Sequence, residues 1–173
     1  AIHLRADLRR LVADRPGVLH FVMDPAAPGT FVAHDLDREW VFMVPFDAAA
    51  ESVDDYDAGR CEDLVRTAIG RAGGEVELEV AGVGSWHMTA QVAERYGDGR
   101  VLLVGDAAHR FPPTGGMGLN TGVADVHNLV WKLDAVASGW ADAGLVATYE
   151  VERRPVAQLN CEQSTANAVK LIL

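Results

Sequence analysis

In the first half of the chain, apolar and β-branched residues come in short runs, GVLHFVMD (17–24), GTFVAHD (29–35) and EWVFMVPF (39–46), separated by Pro, Gly and Asp turn signals. This spacing predicts an antiparallel meander. The stretch DAGRCEDLVRTAIGRAG (57–73) switches to helical period, with Cys61, Leu64, Val65, Ala68 and Ile69 on one side and Gly73 as its stop. EVELEVAGVGSWHM (75–88) alternates as a further strand. Past Trp86 the pattern changes. RVLLVG (100–105) is a continuous apolar run of the kind expected of a strand covered on both faces. From Leu119 the positions Leu119, Val123, Val126, Val130, Leu133 and Ala137 form one helical stripe, predicted to face the core. A last helix is expected from about Leu145 to the end of the chain, kinked or restarted at Pro155.

Length and charge narrow what such a chain can do. Its 173 residues, 49% of them apolar, suffice for one domain with a core or for two small lobes. A net charge of −10 disfavours nucleic acid or an anionic membrane surface as the main partner. The opening AIHLRADLRR lacks the apolar core of a signal peptide, and no apolar run reaches membrane-spanning length, so a cytoplasmic location is expected. Cys61 and Cys161 stand a hundred positions apart without metal-ligand spacing, which predicts two buried thiols and no metal site.

The candidate chemistry lies in GDAAHRFPPTGGMGLNTGVADVHNLVWKL (105–133). Asp106 follows Gly105 at the end of the predicted buried strand, where a carboxylate accepts hydrogen bonds from sugar-like hydroxyls; the alternative is that it caps the turn behind it. Pro112 and Pro113 fix the backbone, and Thr114, Gly115, Gly116 and Gly118 lead into the helix. A helix start bare of side chains offers its free amides and macrodipole to partial negative charge. The alternative there is a plain glycine-rich loop with Thr114 or Asn120 as cap.

The combination RVLLVGDAAHRFPPTGGMGLNTGVADVHNLVWKL resembles the second flavin-contacting motif of the FAD-dependent aromatic-ring hydroxylases of the p-hydroxybenzoate hydroxylase type, and most of all the branch that acts on phenols, chlorophenols and aromatic polyketides. TYEVERRP (148–155) is similar to the helix that follows in that family. The resemblance implies FAD as cofactor, with NAD(P)H as co-substrate and hydroxylation of a small aromatic substrate by O2 through a flavin hydroperoxide. It implies a cofactor site of Gly105, Asp106, Pro113, Gly115, Gly116, Met117, Gly118, Leu119 and Asn120, with Asp106 on the ribityl chain, the backbone around Pro112 and Pro113 beside the flavin ring, and Gly115 to Asn120 at its pyrimidine end. No residue of a catalytic triad is implied, since the cofactor carries the hard step. The implied fold is α/β (α+β), an antiparallel substrate-binding sheet over 1–90 followed at 91–173 by the carboxyl-side part of a Rossmann-like FAD-binding domain.

The GxGxxG unit that holds the ADP half of FAD in that family has no counterpart here; GVGSWH from Gly82 has His87 where the third glycine belongs. The chain is therefore expected to be a carboxyl-side portion of a hydroxylase. Its alternatives are a non-catalytic remnant, a half that pairs with a separate dinucleotide-binding chain, or another FAD oxidoreductase of the same superfamily. A homo-oligomer, or association through surfaces bared by truncation, belongs to the same expectation.

Other residues carry weaker signals. His109 is expected to pack the turn, and His127 to flank the helix. His20 and His34 lie in strands of the substrate sheet. Trp40, Phe42, Met43 and Trp86 are better suited to core than to an aromatic pocket.

Overall fold

A computed structural model describes residues 1–172, with the side-chain surroundings of 1–170, and divides the chain into two compact units, Ala1–Trp86 and His87–Leu173.

The first unit holds β1 (Ile2–Ala6), the short α1 (Arg9–Val12), β2 (Leu19–Val22), β3 (Gly29–Asp35), β4 (Glu39–Met43), α2 (Ala58–Ile69) and β5 (Leu78–Val83). Its sheet runs in the order β2-β3-β4-β1-β5, antiparallel at every step. The meander of β2, β3 and β4 is the one predicted. β1, which the pattern reading does not assign, sits between β4 and β5 and alternates strictly, with Ile2, Leu4 and Ala6 buried. Opposite Ile2 and Leu4 stand Phe42 and Trp40, and Phe31 stacks on Phe42 with ring centroids 4.2 Å apart. Trp40 and Phe42 are thus core residues, as expected.

Cys61 and Val65 of α2 join this core, and the Asp57 carboxylate caps the helix by accepting from the Arg60 amide at 2.8 Å. The helix ends at Gly70, whose φ is +77°, rather than at Gly73. Gly73 belongs to the following 3-10 turn, where its backbone lies against Arg66. Of the two cysteines only Cys61 is buried; Cys161 is half-buried.

The second unit is built from two short antiparallel ladders and two long helices. The ladders pair β6 (Gln91–Val92) with β9 (His109–Arg110) and β7 (Gly97–Asp98) with β8 (Val101–Leu102), and the helices are α3 (Met117–Ala137) and α4 (Gly144–Ile172). RVLLVG therefore does not form a strand covered on both faces. Only two of its residues pair, in a hairpin, and Val101 is exposed, because the described residues supply no second strand beside it. α4 passes through Pro155 as one helix. Pro155 and Val151, whose carbonyl loses its amide partner, both lie on the exposed side. The expected end of this helix at Leu173 lies outside the described residues. None of the described helices is long and apolar enough to cross a membrane.

The predicted stripe of α3 faces the wrong way. Leu119, Val123, Val126, Val130 and Leu133 are exposed, whereas Thr121, Asp125, Leu129, Lys132 and Ala135 are buried. The helix is apolar on more than one side, and its polar residues choose the packed face. Asp125 and Lys132 carry charges that find opposite charges on α4. Arg153 Nε donates to Asp125 Oδ1 at 2.8 Å, and Lys132 Nζ donates to Glu152 Oε1 at 2.8 Å and to Thr148 Oγ1 at 2.6 Å. Around them Tyr96, Ala108, Leu129, Tyr149 and Ala157 form the apolar core, with the Tyr149 hydroxyl donating to the Leu103 carbonyl.

Hydrogen bonds from Lys132 and Asn128 hold the Glu152 carboxyl down to about 2, below the usual 4.5. A carboxyl whose folded value is depressed adds stability above its unfolded value and loses it as pH falls through the folded one. Acid unfolding followed by circular dichroism should therefore show part of its stability loss between pH 4.5 and about 2. The contribution is modest, because the Glu152 side chain is 47% exposed. Lys132→Met removes the main partner and should shrink this limb to what Asn128 sustains, while Glu152→Ala, which strands a buried ammonium, should lower the melting temperature more than Lys132→Met does.

Candidate functional site

β8 runs into a 3-10 turn, Gly105–Ala107, and the chain then reaches β9. Gly105 takes a φ of +59° at the start of this turn, and its Cα lies so close to α3 that a Cβ on Gly122 would stand 3.3 Å from it. Two glycines facing each other bring the turn against the helix with no side chain between them. Asp106 lies within the turn and is exposed. The residue preceding the turn is Val104, and no side chain caps it, so the capping role considered for Asp106 is not the one it takes. No donor among the described residues reaches its carboxylate.

Beside Asp106 opens a cleft of about 620 Å³. Val104, Gly105 and Asp106 form one side, and Gly118, Leu119, Gly122, Val123, Val126 and His127 of α3 form the other. The exposed apolar stripe of α3 is in part the wall of this cleft. His127, expected as a flank residue, also lines it.

The start of α3 is bare. Gly116 precedes the first helical residue with a φ of +62°, and no side chain caps it. The two residues considered as caps are engaged elsewhere as donors: Thr114 Oγ1 to the Ser164 carbonyl at 2.5 Å, and Asn120 Nδ2 to the Gly116 carbonyl at 2.9 Å. The first-turn amides therefore remain available at the positive end of the helix dipole.

The sequence-derived site residues divide around this first turn. Gly105, Asp106, Gly118 and Leu119 line the large cleft, while Gly115, Gly116, Met117 and Asn120 line a smaller groove of about 240 Å³ on the other side, with Arg153 and Asn160. Pro113 is exposed and lines neither.

Behind the turn lies a polar cluster that pattern reading misses. Asp125 Oδ2 stands 2.7 Å from His109 Nε2 and accepts from the Gly105 amide at 3.3 Å. His109 is buried and stacked on Phe111, with centroids 4.7 Å apart, so it packs the turn as expected. Burial pushes the neighbouring Tyr96 hydroxyl up to about 12, which keeps it neutral. The one signal for this cluster in the sequence is an acid in the interior of an apolar helix.

In the first unit His34 is exposed, and His20 packs on Trp40 with its Nε2 2.9 Å from the Gly17 carbonyl. Among the described residues no group of three or more His, Cys, Asp or Glu could hold a metal ion.

These features fit a flavin. An apolar-walled cleft suits a flat ring system, an unpartnered carboxylate at its edge suits a polyol chain, and Gly118 leaves space in the wall that a Cβ would fill. Comparison with known proteins agrees. Residues 1–164 match the family described as FAD binding domain. The chain is 40% identical over 164 residues to a tetracenomycin B2 monooxygenase-dioxygenase of Streptomyces olivaceus, covering 95% of this chain and 30% of that protein. The crystal structure of the flavin-dependent monooxygenase PieE in complex with FAD and substrate superposes with a TM-score of 0.84 at 38% identity, over 99% of this chain and 30% of that one. A ternary complex of aklavinone-11 hydroxylase with FAD and aklavinone superposes at 0.83 and 36% identity, over 98% and 31%. The chain thus spans about 30% of the length of such relatives. With a family model matched over 1–164 and relatives that are monooxygenases, the chain belongs to the FAD binding domain family.

Proposed function

We propose that this chain forms the flavin-ring side of an FAD-dependent monooxygenase that hydroxylates a phenolic or polycyclic aromatic substrate, with NAD(P)H as reductant. One observation carries the reading: the unpartnered Asp106 carboxylate lines one apolar cleft together with Gly118 and Leu119 of the first turn of α3, a helix whose start no side chain caps. In this reading Asp106 accepts hydrogen bonds from the ribityl hydroxyls. The first-turn amides of α3, at Met117, Gly118 and Leu119, favour partial negative charge on the pyrimidine edge, with Gly115, Gly116 and Asn120 shaping the approach to them. Pro113 and its neighbours hold the loop, and the apolar wall of Val104, Val123 and Val126 excludes water. Bound FAD would supply reduction by NAD(P)H and oxygen transfer from O2 to an electron-rich ring. Residues 1–90 serve as the substrate-binding sheet and 91–173 as the carboxyl-side part of the cofactor domain. The names of the relatives support an aromatic substrate. A reaction drawing on NAD(P)H also suits the cytoplasmic location expected.

A second reading rests on the exposed stripe of α3 together with the 30% span. In it, flavin binds only after a dinucleotide-binding segment covers Val126, Val130 and Leu133. Titration of the purified chain with FAD, followed by flavin fluorescence and absorbance, separates the two. Saturable binding with a perturbed flavin spectrum supports the first. No binding by the chain alone, but binding once a GxGxxG-bearing segment is added, supports the second. No binding under either condition sinks both.

A further inference from the structure

The buried cluster behind the flavin cleft belongs to no step assigned above. Asp125 is fully buried in the middle of α3, and its two oxygens divide their work. Oδ1 accepts from Arg153 Nε of α4, which anchors the carboxylate and balances its charge. Oδ2 meets both ends of one five-residue segment, the Gly105 amide at 3.3 Å and His109 Nε2 at 2.7 Å. Between these points the segment rises as a turn, closed by the Ala108 amide on the Gly105 carbonyl at 2.8 Å, with Asp106 at its exposed crest. His109 cannot swing aside, because its ring is sandwiched in the core against Phe111. Donation to Oδ2 requires a proton on Nε2, and the other ring nitrogen, Nδ1, is buried and without a partner among the described residues.

We propose that Asp125 is a positioning residue for flavin binding: it clamps the Gly105–His109 turn at both ends and so fixes where the Asp106 carboxylate meets the ribityl chain. This rests on the reading of Asp106 as the ribityl ligand. Asp125 itself stands behind the turn and touches no cofactor. The clamp matters because an exposed turn that had to order itself on binding would weaken the contact by the entropy of that ordering.

The test uses the full chain and variant Asp125→Asn, which keeps the shape but cannot accept from three donors with a full charge. Without flavin, amide hydrogen exchange should speed up on the order of tenfold over 105–109 while α4 and the first unit keep their protection. Riboflavin affinity should fall by a similar factor, and lumiflavin, which has the ring but no ribityl chain, should bind as before. In an Asp106→Ala background, Asp125→Asn should have no further effect on riboflavin, the mark of a residue acting through another. Unchanged exchange at 105–109, or an effect that adds fully to that of Asp106→Ala, overturns the proposal. If Asp125→Asn does not fold, the double variant Asp125→Leu/Arg153→Met removes both buried charges together and takes the same measurements. A chain whose turn loosens on substitution but whose wild type binds no flavin separates the clamp, which then stands as a local device, from the ribityl reading, which fails and takes the proposed role in flavin binding with it.

Discussion

Replacing Asp106 by Ala is expected to weaken riboflavin and FAD binding by roughly 10- to 100-fold, the effect of losing one or two charge-assisted hydrogen bonds. The melting temperature should barely change. Asp106 is exposed, it caps nothing, and no described donor depends on it, so its removal costs the folded chain nothing that solvent does not restore. Asp106→Asn should fall between, since an amide oxygen still accepts but carries no charge. Isothermal titration with riboflavin and lumiflavin in parallel makes the result specific: the loss should be confined to the ligand with the polyol chain. Equal loss for both ligands, or no loss for either, would mean that the carboxylate serves something other than the ribityl group. The contrast between this site-specific loss and an unmoved stability identifies a binding residue in a way that affinity alone does not.

How much of this site is legible from sequence depends on which interactions are local. The Gly-Asp pair, the Pro-Pro and the glycines before α3 declare themselves because turn chemistry acts between near neighbours, and the strands of the meander because alternation does too. β1 carries an equally clear alternation over Ile2–Ala6, yet five residues beside a charged stretch are too few to separate from a loop, and its place between β4 and β5 is a long-range fact. The orientation of α3 is the instructive failure. Hydrophobic periodicity chooses Leu119, Val123 and Val126, but the face that packs is the one whose Asp125 and Lys132 find Arg153 and Glu152 28 and 20 residues later. A buried charge is costly without its partner, so the pairing outranks the stripe, and no spacing rule displays a partner that far along the chain. The released stripe then becomes partly cleft wall, which is how His127 and Gly122 enter the site unannounced. The RVLLVG run misleads for a related reason: its composition describes a strand covered on both faces, whereas only Val101 and Leu102 pair, with β7, and Val101 is exposed.

Gly122 yields the second large effect. Gly122→Val should destabilise the chain by about 1–3 kcal/mol, the usual cost of forcing extra carbons into a packed contact. It should also abolish measurable flavin binding. A Cβ at this position already stands 3.3 Å from the Gly105 Cα, and the opposing atom is backbone, which cannot rotate away as a side chain would. Two further methyls must push the Gly105 turn off α3 or the helix off the turn. Either movement lengthens the Asp125–Gly105 contact and shifts the Asp106 crest relative to the α3 start, so stability and binding fall together. Gly118→Ala is the matched control on the same wall of the cleft. Nothing lies within 4 Å of a Cβ there, and Ala is the better helix former, so stability should hold or rise slightly. Its methyl nevertheless enters the cleft, and flavin affinity should fall without any loss of fold. Thermal melts and titrations on the two variants would thus show opposite couplings of stability to binding. If Gly122→Val bound flavin as tightly as the wild type, the Gly105–Gly122 approach would not be what shapes the cleft, and the close glycine pair would serve only to pack the helix.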